Sequence, residues 1–332
     1  MREEILITVR SNPYVDPQVG IWGWQVIADL FLVGLTAGAL IFTALVILNR
    51  KEQQFGFTAN RLPLIGLISI GLAMTFLFLK LTHKIVFWRF FGAFVPTAVM
   101  SWGAWLLQLV ILAILLLTLQ GLRGGFPALA GIVDKFKIGT LALDLAEKYR
   151  RPIAWASVVL GVIIAFYTGA LMTSMEARPF GSSGLMAPLF LASGLATAAA
   201  IVLIGTRDAG ERLLFSRTLF GVVLFKCLLL GLTLANLANG SRVQMEAVQL
   251  VFGGEYTQLF WLFFVIPGLL VPLAIEAFGL RKQARASWMM ISPVLVLYGA
   301  YMLRQLVVDL GQVSGHLHYV NTFNPALLEL LR

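Results

Sequence analysis

The sequence predicts an all-α integral membrane protein in which eight transmembrane helices form two four-helix bundles. Three observations lead there. Hydrophobic residues make up 59% of the 332 positions and charged residues only 12%, where a soluble domain carries about 25% charge; the mean hydropathy is +0.87. Apolar runs recur at membrane-spanning length. The basic residues are distributed unevenly among the connections between those runs.

Crossing a bilayer core takes roughly 20 apolar residues. Eight runs meet that length: Ile21–Leu48, Leu62–Leu81, Phe94–Leu119, Pro152–Met175, Met186–Gly205, Thr218–Leu237, Thr257–Leu280 and Trp288–Leu310. The preceding residues, 1–20, are mostly polar, so no cleavable signal peptide is expected before the first run. Most connections are short. The exception is Gly121–Arg151, where Leu129, Ile132, Val133, Phe136, Leu141 and Leu145 alternate with lysines. That pattern suits an amphipathic helix on a membrane surface or a packed extramembrane hairpin.

The connections after helices one, three, five and seven hold 15 Lys and Arg, against 8 on the other side. Cytoplasmic loops carry the basic excess, so both termini are expected outside the cytoplasm in a multi-pass protein of the inner, cytoplasmic membrane. The formal charge of +9 is then matched to anionic lipid rather than to nucleic acid. A weak repeat supports two bundles. Leu30-Phe31-Leu32-Val33-Gly34-Leu35 in helix one resembles Leu189-Phe190-Leu191-Ala192-Ser193-Gly194-Leu195 in helix five. Gly34 and Gly38 form a small-xxx-small pair, which predicts close packing of helix one on a neighbour.

Charges inside spans are costly, about 2.5–3.5 kcal/mol each at the centre on insertion scales. Asp29 sits roughly 10 Å inside helix one by helical rise, and Arg304 lies at a similar level in helix eight. Trp102 and Tyr167 belong to the same outer third, and His83 ends helix two beside Lys84. These groups are expected to converge, with Asp29 and Arg304 coupled directly or through a ligand or water; Lys84 and Arg89 read as snorkelling ends. Lys226, in helix six, and Glu276, near the inner end of helix seven, line a possible proton path. Snorkelling for Lys226, and an interfacial position beside Arg281 for Glu276, are the alternatives.

Cys227 is the only cysteine, which excludes a disulfide framework, a Cys-ligated zinc site and a Cys-held iron–sulfur cluster. The three histidines are His83, His316 and His318; none pairs across a bundle as a bis-His haem requires. No haem, iron–sulfur or other metal site is therefore expected in this chain.

Met100-Ser101-Trp102-Gly103 resembles the "MSWG" signature of the NrfD/PsrC family. Tyr167-Thr168-Gly169-Ala170-Leu171, with Glu176-Ala177-Arg178-Pro179, is similar to its "YTG…L" and "RP" stretch. Pro188-Leu189-Phe190-Leu191 and Val294-Leu295-Val296-Leu297-Tyr298-Gly299, running on to Arg304 and Gly311-Gln312, look like two further family helices. The turn Lys80-Leu81-Thr82-His83-Lys84 departs from the Asp-Leu-Gly-Arg-Pro-like turn of many members, so His83 is judged on its own chemistry.

The resemblance implies one membrane domain over residues 1–332: an outer segment (1–20), bundles at 21–175 and 176–310, and an outer tail (311–332). It implies a quinone pocket near the outer surface, here among Asp29, His83, Trp102 and Tyr167 with Arg304 at its edge. It also implies partners outside: an iron–sulfur electron-transfer subunit and a catalytic subunit of molybdenum or multihaem type. The expected function is the quinone-handling subunit of an oxidoreductase, with menaquinone or ubiquinone as cofactor and no metal of its own. A proton-translocating module and a transporter are the alternatives; Pro267, Pro272 and Pro293 do not form the matched pair of interrupted spans that a transporter needs.

Reporter fusions at Arg332 test the orientation. A reporter active only outside the cytoplasm is expected to work there, and activity of a cytoplasm-only reporter refutes the assignment.

Overall fold

The computed structural model describes residues 22–81, 83–92, 94–173, 179–181, 183–282 and 290–314. Among them are eight helices long and apolar enough to cross a membrane, and no strand. They are α1 (Trp24–Leu48), α2 (Leu62–Lys80), α3 (Val99–Gly125), α4 (Arg150–Thr173), α5 (Met186–Gly205), α6 (Ala209–Ala238), α7 (Leu259–Gly279) and α8 (Ile291–Val313). α1, α3, α5 and α7 begin at one end of the molecule, here the first end; α2, α4, α6 and α8 finish there.

Hydropathy locates the apolar part of each helix, and local chemistry sets its ends. α5 has the expected bounds. α3 starts at Val99 rather than Phe94 because Pro96 lies in the way: the residue before a proline is pushed out of the helical region, and Pro96-Thr97 form a turn. α6 starts nine residues before Thr218. Asp208 caps it, its carboxylate accepting from the Glu211 amide at 2.7 Å, and charged residues then continue a helix that has left the apolar run. Within α7, Leu259–Leu270 is wound as a π-helix containing Pro267, and Val271–Lys282 continues as an α-helix. A proline has no amide to donate, and wide turns of this kind accommodate such breaks in the ladder.

The Gly121–Arg151 connection folds as a hairpin of two helices, Pro127–Val133 and Lys137–Lys148. Leu122, Ala130 and Leu143 form a small core beneath it. The Gln120 side chain donates to the Ala146 carbonyl at 3.0 Å, and Arg123 pairs with Asp134 and Asp144. Of the two sequence readings, the packed hairpin describes these contacts, although it leaves several apolar side chains exposed.

α1 and α5 occupy the centre. α1 packs on α2, α4, α5 and α8; α5 packs on α1, α4, α6 and α8; α3 joins α2 to α4, and α7 lies against α6 and α8. Every residue of α1 from 33 to 41 is buried, as is every residue of α5 from 196 to 200. A helix that is apolar all round belongs in such a position. Thr36 and Thr43 meet neighbours without losing hydrogen bonds, donating to the carbonyls of Gly66 at 3.1 Å and Thr58 at 3.0 Å.

The α1–α5 crossing is closer than side chains permit. A Cβ on Gly38 would lie 2.5 Å from the Gly194 carbonyl oxygen, and one on Gly194 would lie 2.6 Å from that of Gly34. The obstacle in both cases is backbone, so only separation of the helices relieves it. At the second end, buried Glu211 ties α6 to the short helix Gly56–Asn60. It accepts from the Thr58 amide (2.8 Å), the Thr58 hydroxyl (2.6 Å) and the Thr206 hydroxyl (2.6 Å).

Gly194→Val is expected to destabilise the chain by about 1–3 kcal/mol or more, the usual cost of overpacking. Gly71→Ala, on an open face of α2, should be close to neutral. Thermal unfolding in detergent compares the two; equal midpoints would contradict the close crossing.

Candidate functional site

A cavity of about 600 Å³ lies at the first end, enclosed by α1–α4 and the segment that follows α2. Its walls are mostly apolar: Val26, Leu30 and Val33 from α1, Met74 and Phe78 from α2, Met100 and Leu107 from α3, Ile164 and Leu171 from α4. Side-chain polar groups are few, namely Asp29, Thr75, Lys80, Tyr167, Thr168 and the Trp22 indole. Pockets for small organic ligands have this make-up, with apolar walls and a few placed polar groups that fix orientation.

Two of those groups share the lining at the level of Asp29. One carboxylate oxygen of Asp29 is buried and has no hydrogen-bond partner; buried acceptors of this kind are rare. The Tyr167 hydroxyl donates to the Val99 carbonyl at 3.2 Å. It fits there because residue 103 is glycine: a Cβ at that position would lie 2.0 Å from the hydroxyl oxygen. The Met100–Gly103 motif thus has a structural job at each position. Met100 lines the cavity, the Ser101 hydroxyl accepts from the Val95 amide at 2.9 Å, the Trp102 indole donates to the Pro96 carbonyl at 2.8 Å, and Gly103 makes room for Tyr167.

The five residues expected to converge therefore separate. Asp29 and Tyr167 line the cavity. Trp102 points outward, 55% exposed, and holds the turn before α3. His83 is exposed, on the segment between the lining residues Leu81 and Phe87. Arg304 is wholly buried behind α1. Its Nε donates to the Leu30 carbonyl (2.9 Å), and its Nη1 to the Ser193 hydroxyl (3.0 Å) and the Ala300 carbonyl (2.8 Å). The guanidinium carbon lies 5.7 Å from the Phe31 ring centroid and 5.4 Å from that of Phe190. No ion pair joins Arg304 to Asp29 among the described residues. Equal depth along two helices did not imply contact, because the two side chains leave their helices in different directions.

Lys226 and Glu276 are both buried against neighbouring helices. The Lys226 ammonium lies over the Phe264 ring at 5.7 Å, on the π-helical part of α7. Glu276 accepts a hydrogen bond from the Ser216 hydroxyl of α6. His316, His318 and the Glu176–Arg178 part of the "RP" stretch lie outside the described residues. Sequence reasoning missed Thr75, Thr168 and Ser193, since a hydroxyl in a span is common and carries no insertion penalty to flag it. It also missed Glu211, for which Asp208-Ala209-Gly210-Glu211 was a readable capping pattern.

A family model described as polysulphide reductase, NrfD, matches residues 13–314. The chain is similar to Protein NrfD of Escherichia coli, with 28% identity covering 89% of this chain and 96% of that one. It is similar to the C component of polysulfide reductase from Wolinella succinogenes, with 26% identity covering 88% and 94%. The C component of selenate reductase from Mesobacillus selenatarsenatis shares 23% identity over 89% of this chain and 75% of its own.

Because Asp29 and Arg304 have separate surroundings, the stability effects of Asp29→Asn and Arg304→Gln should add to within about 0.5 kcal/mol. Arg304→Gln alone is expected to be the more costly, since it removes charge-assisted hydrogen bonds to the Leu30 and Ala300 carbonyls and the Ser193 hydroxyl, worth about 1.5–3 kcal/mol each. A double-mutant cycle on thermal unfolding checks both statements; strong coupling would show that the two charges meet.

Proposed function

We propose a function from one premise: the chain belongs to the NrfD (polysulphide reductase) family. It is a multi-pass membrane protein and a membrane subunit of an oxidoreductase complex. Our reading is that it binds a quinone or quinol, menaquinone or ubiquinone, in the α1–α4 cavity. Electrons pass between that molecule and an iron–sulfur partner subunit on the outer side, with a catalytic subunit of molybdenum or multihaem type beyond it. In this reading the first end faces outward, both termini lie on that side of the inner membrane, and α1–α4 and α5–α8 act as two four-helix bundles. The neighbour pattern of the helices supports that grouping.

The observation that carries the reading is the cavity itself, an apolar space with Asp29 and the Tyr167 phenol on its wall; one Asp29 carboxylate oxygen is buried without a partner. The residues fit a quinone, which supplies a two-electron, two-proton couple when bound. Asp29 holds or releases a proton at its carboxylate, and the Tyr167 hydroxyl orients a ring oxygen. Thr75 and Thr168 offer further hydroxyls, and the Val, Leu, Ile and Met walls exclude water and hold an isoprenoid tail. His83 stands exposed on the strip of chain between Leu81 and Phe87, both of which line the cavity. Trp102 braces the turn that carries Met100, and Arg304 fixes the α1 backbone from behind through the Leu30 carbonyl.

A second reading, a proton-translocating role for α5–α8, is favoured by the burial of Lys226 and Glu276. Neither takes part in an ion pair among the described residues. Ionisable groups placed so deep in a membrane protein mark proton routes.

Quinol-linked turnover of the assembled complex separates the readings, with assembly checked by co-purification. Asp29→Asn is expected to lower turnover by about 10²-fold or more, the usual range for a positioned proton carrier. Tyr167→Phe should do so less, with a rise in KM. Normal turnover in both, together with its loss in Glu276→Gln, would overturn the cavity as the site.

A further inference from the structure

The hairpin between α3 and α4 has two apolar faces, and only one of them is used. Leu143 and Ala146 turn inward, the former against Leu122 and Ala130. Leu141 and Leu145 turn outward, 66% and 52% exposed, and Leu129, Ile132 and Phe136 of the same hairpin are exposed as well. Spacing aligns the outward face. Lys137, Leu141, Leu145 and Lys148 follow one another at four, four and three residues, so they share one stripe of the helix, with a lysine at each end of the leucine pair.

The charges of the hairpin are sorted in the same way. Its three carboxylates are engaged: Asp134 and Asp144 pair with Arg123 at 3.2 and 3.3 Å, and Glu147 pairs with Arg150 at 3.4 Å. Arg150 reaches Glu52 as well, at 3.5 Å. Lys135, Lys137, Lys148 and Arg151 are exposed and take part in no ion pair among the described residues. Each carboxylate is thus held by an arginine, and the four unpaired basic residues leave the cluster, with Glu52 counted, at a net charge of +2.

We infer that this outward face is a docking surface for anionic phospholipid headgroups: Leu129, Ile132, Phe136, Leu141 and Leu145 enter the acyl boundary, and the lysines bind phosphate. Leucines with flanking lysines are the composition of helices that lie in the bilayer interface. Position agrees. The hairpin joins the ends of two spans, and Tyr149 and Trp155, both exposed at the start of α4, are aromatic residues of the kind that mark the headgroup level. A soluble acidic protein would meet the lysines but would leave the leucine stripe beside lipid.

Hydrogen–deuterium exchange of the full chain tests this in nanodiscs of pure phosphatidylcholine and in nanodiscs containing phosphatidylglycerol. Residues 129–149 are expected to exchange several-fold more slowly with phosphatidylglycerol, and 0.5 M salt should remove the difference. Each lysine near an anionic surface contributes on the order of fivefold, so Lys135→Glu/Lys137→Glu/Lys148→Glu should abolish the protection while Lys→Arg at the same positions keeps it. Unchanged exchange of α1 and α5 verifies that the variants fold. Equal exchange in the two lipids would overturn the inference. So would protection that appears only on adding polyglutamate, which would point to an acidic protein partner instead.

Discussion

The architecture depends on one contact, the crossing of α1 and α5 with a buried guanidinium wedged into it. The two helices meet through glycines whose backbones nearly touch, at Gly34, Gly38 and Gly194. Arg304 of α8 fills the place beside that crossing, and a Cβ on Gly34 would collide with it. A cation in such a position normally needs a carboxylate to offset the loss of water. Here the work is shared between two carbonyls, one hydroxyl and two aromatic faces. Phe31 and Phe190 hold the same place in the two short motifs whose likeness suggested an internal repeat, Leu-Phe-Leu near a glycine. The two phenylalanines thus face the same guanidinium from α1 and α5.

That contact places the cavity. α1 is held from behind at Leu30, and its opposite side carries Val26, Asp29 and Val33 into the space shared with α2, α3 and α4. At the first end the Gln312 side chain of α8 grips the backbone of Trp22, accepting from its amide at 2.8 Å and donating to its carbonyl at 3.0 Å. At the second end Glu211 holds α6 to the connection after α1. The wall bearing Asp29 is thus fixed along its length by groups from the other half of the chain. Rigid support of this kind is what a site with few polar groups needs in order to hold them in place.

How much of this was legible from the sequence varies with the kind of information involved. The spans were legible because bilayer thickness sets a minimum apolar length, and α5 agreed to the residue. The starts of α3 and α6 were not, because a proline turn and an aspartate cap decide them and hydropathy registers neither. Asp29 and Tyr167 stood out because polar groups in a span are conspicuous. Depth gives only one coordinate, however. Each residue turns the side chain by about 100° around the helix axis, and the direction in which Arg304, Trp102 and His83 leave the backbone is settled by packing. The pairing of Asp29 with Arg304 was an inference from depth, and the Leu30 carbonyl, Ser193 and two rings were the partners that depth alone could not reveal. Glu211 was hidden differently: it lies in an extramembrane stretch where charge is ordinary, and only its donors make it unusual.

The position of Arg304 in the chain has a consequence for biosynthesis. A polypeptide enters the membrane from its N-terminus, and α8 leaves the ribosome after α1 to α7. Leu30, Phe31, Phe190 and Ser193 are thus in the bilayer well before the side chain that joins them is made. Until then α1 and α5 meet directly, closest at Gly34, Gly38 and Gly194, without the arginine that bonds to both. When α8 arrives, its arginine is costly to leave in lipid and finds a prepared receptor. A product truncated before α8 would lack the arginine that bonds to both central helices.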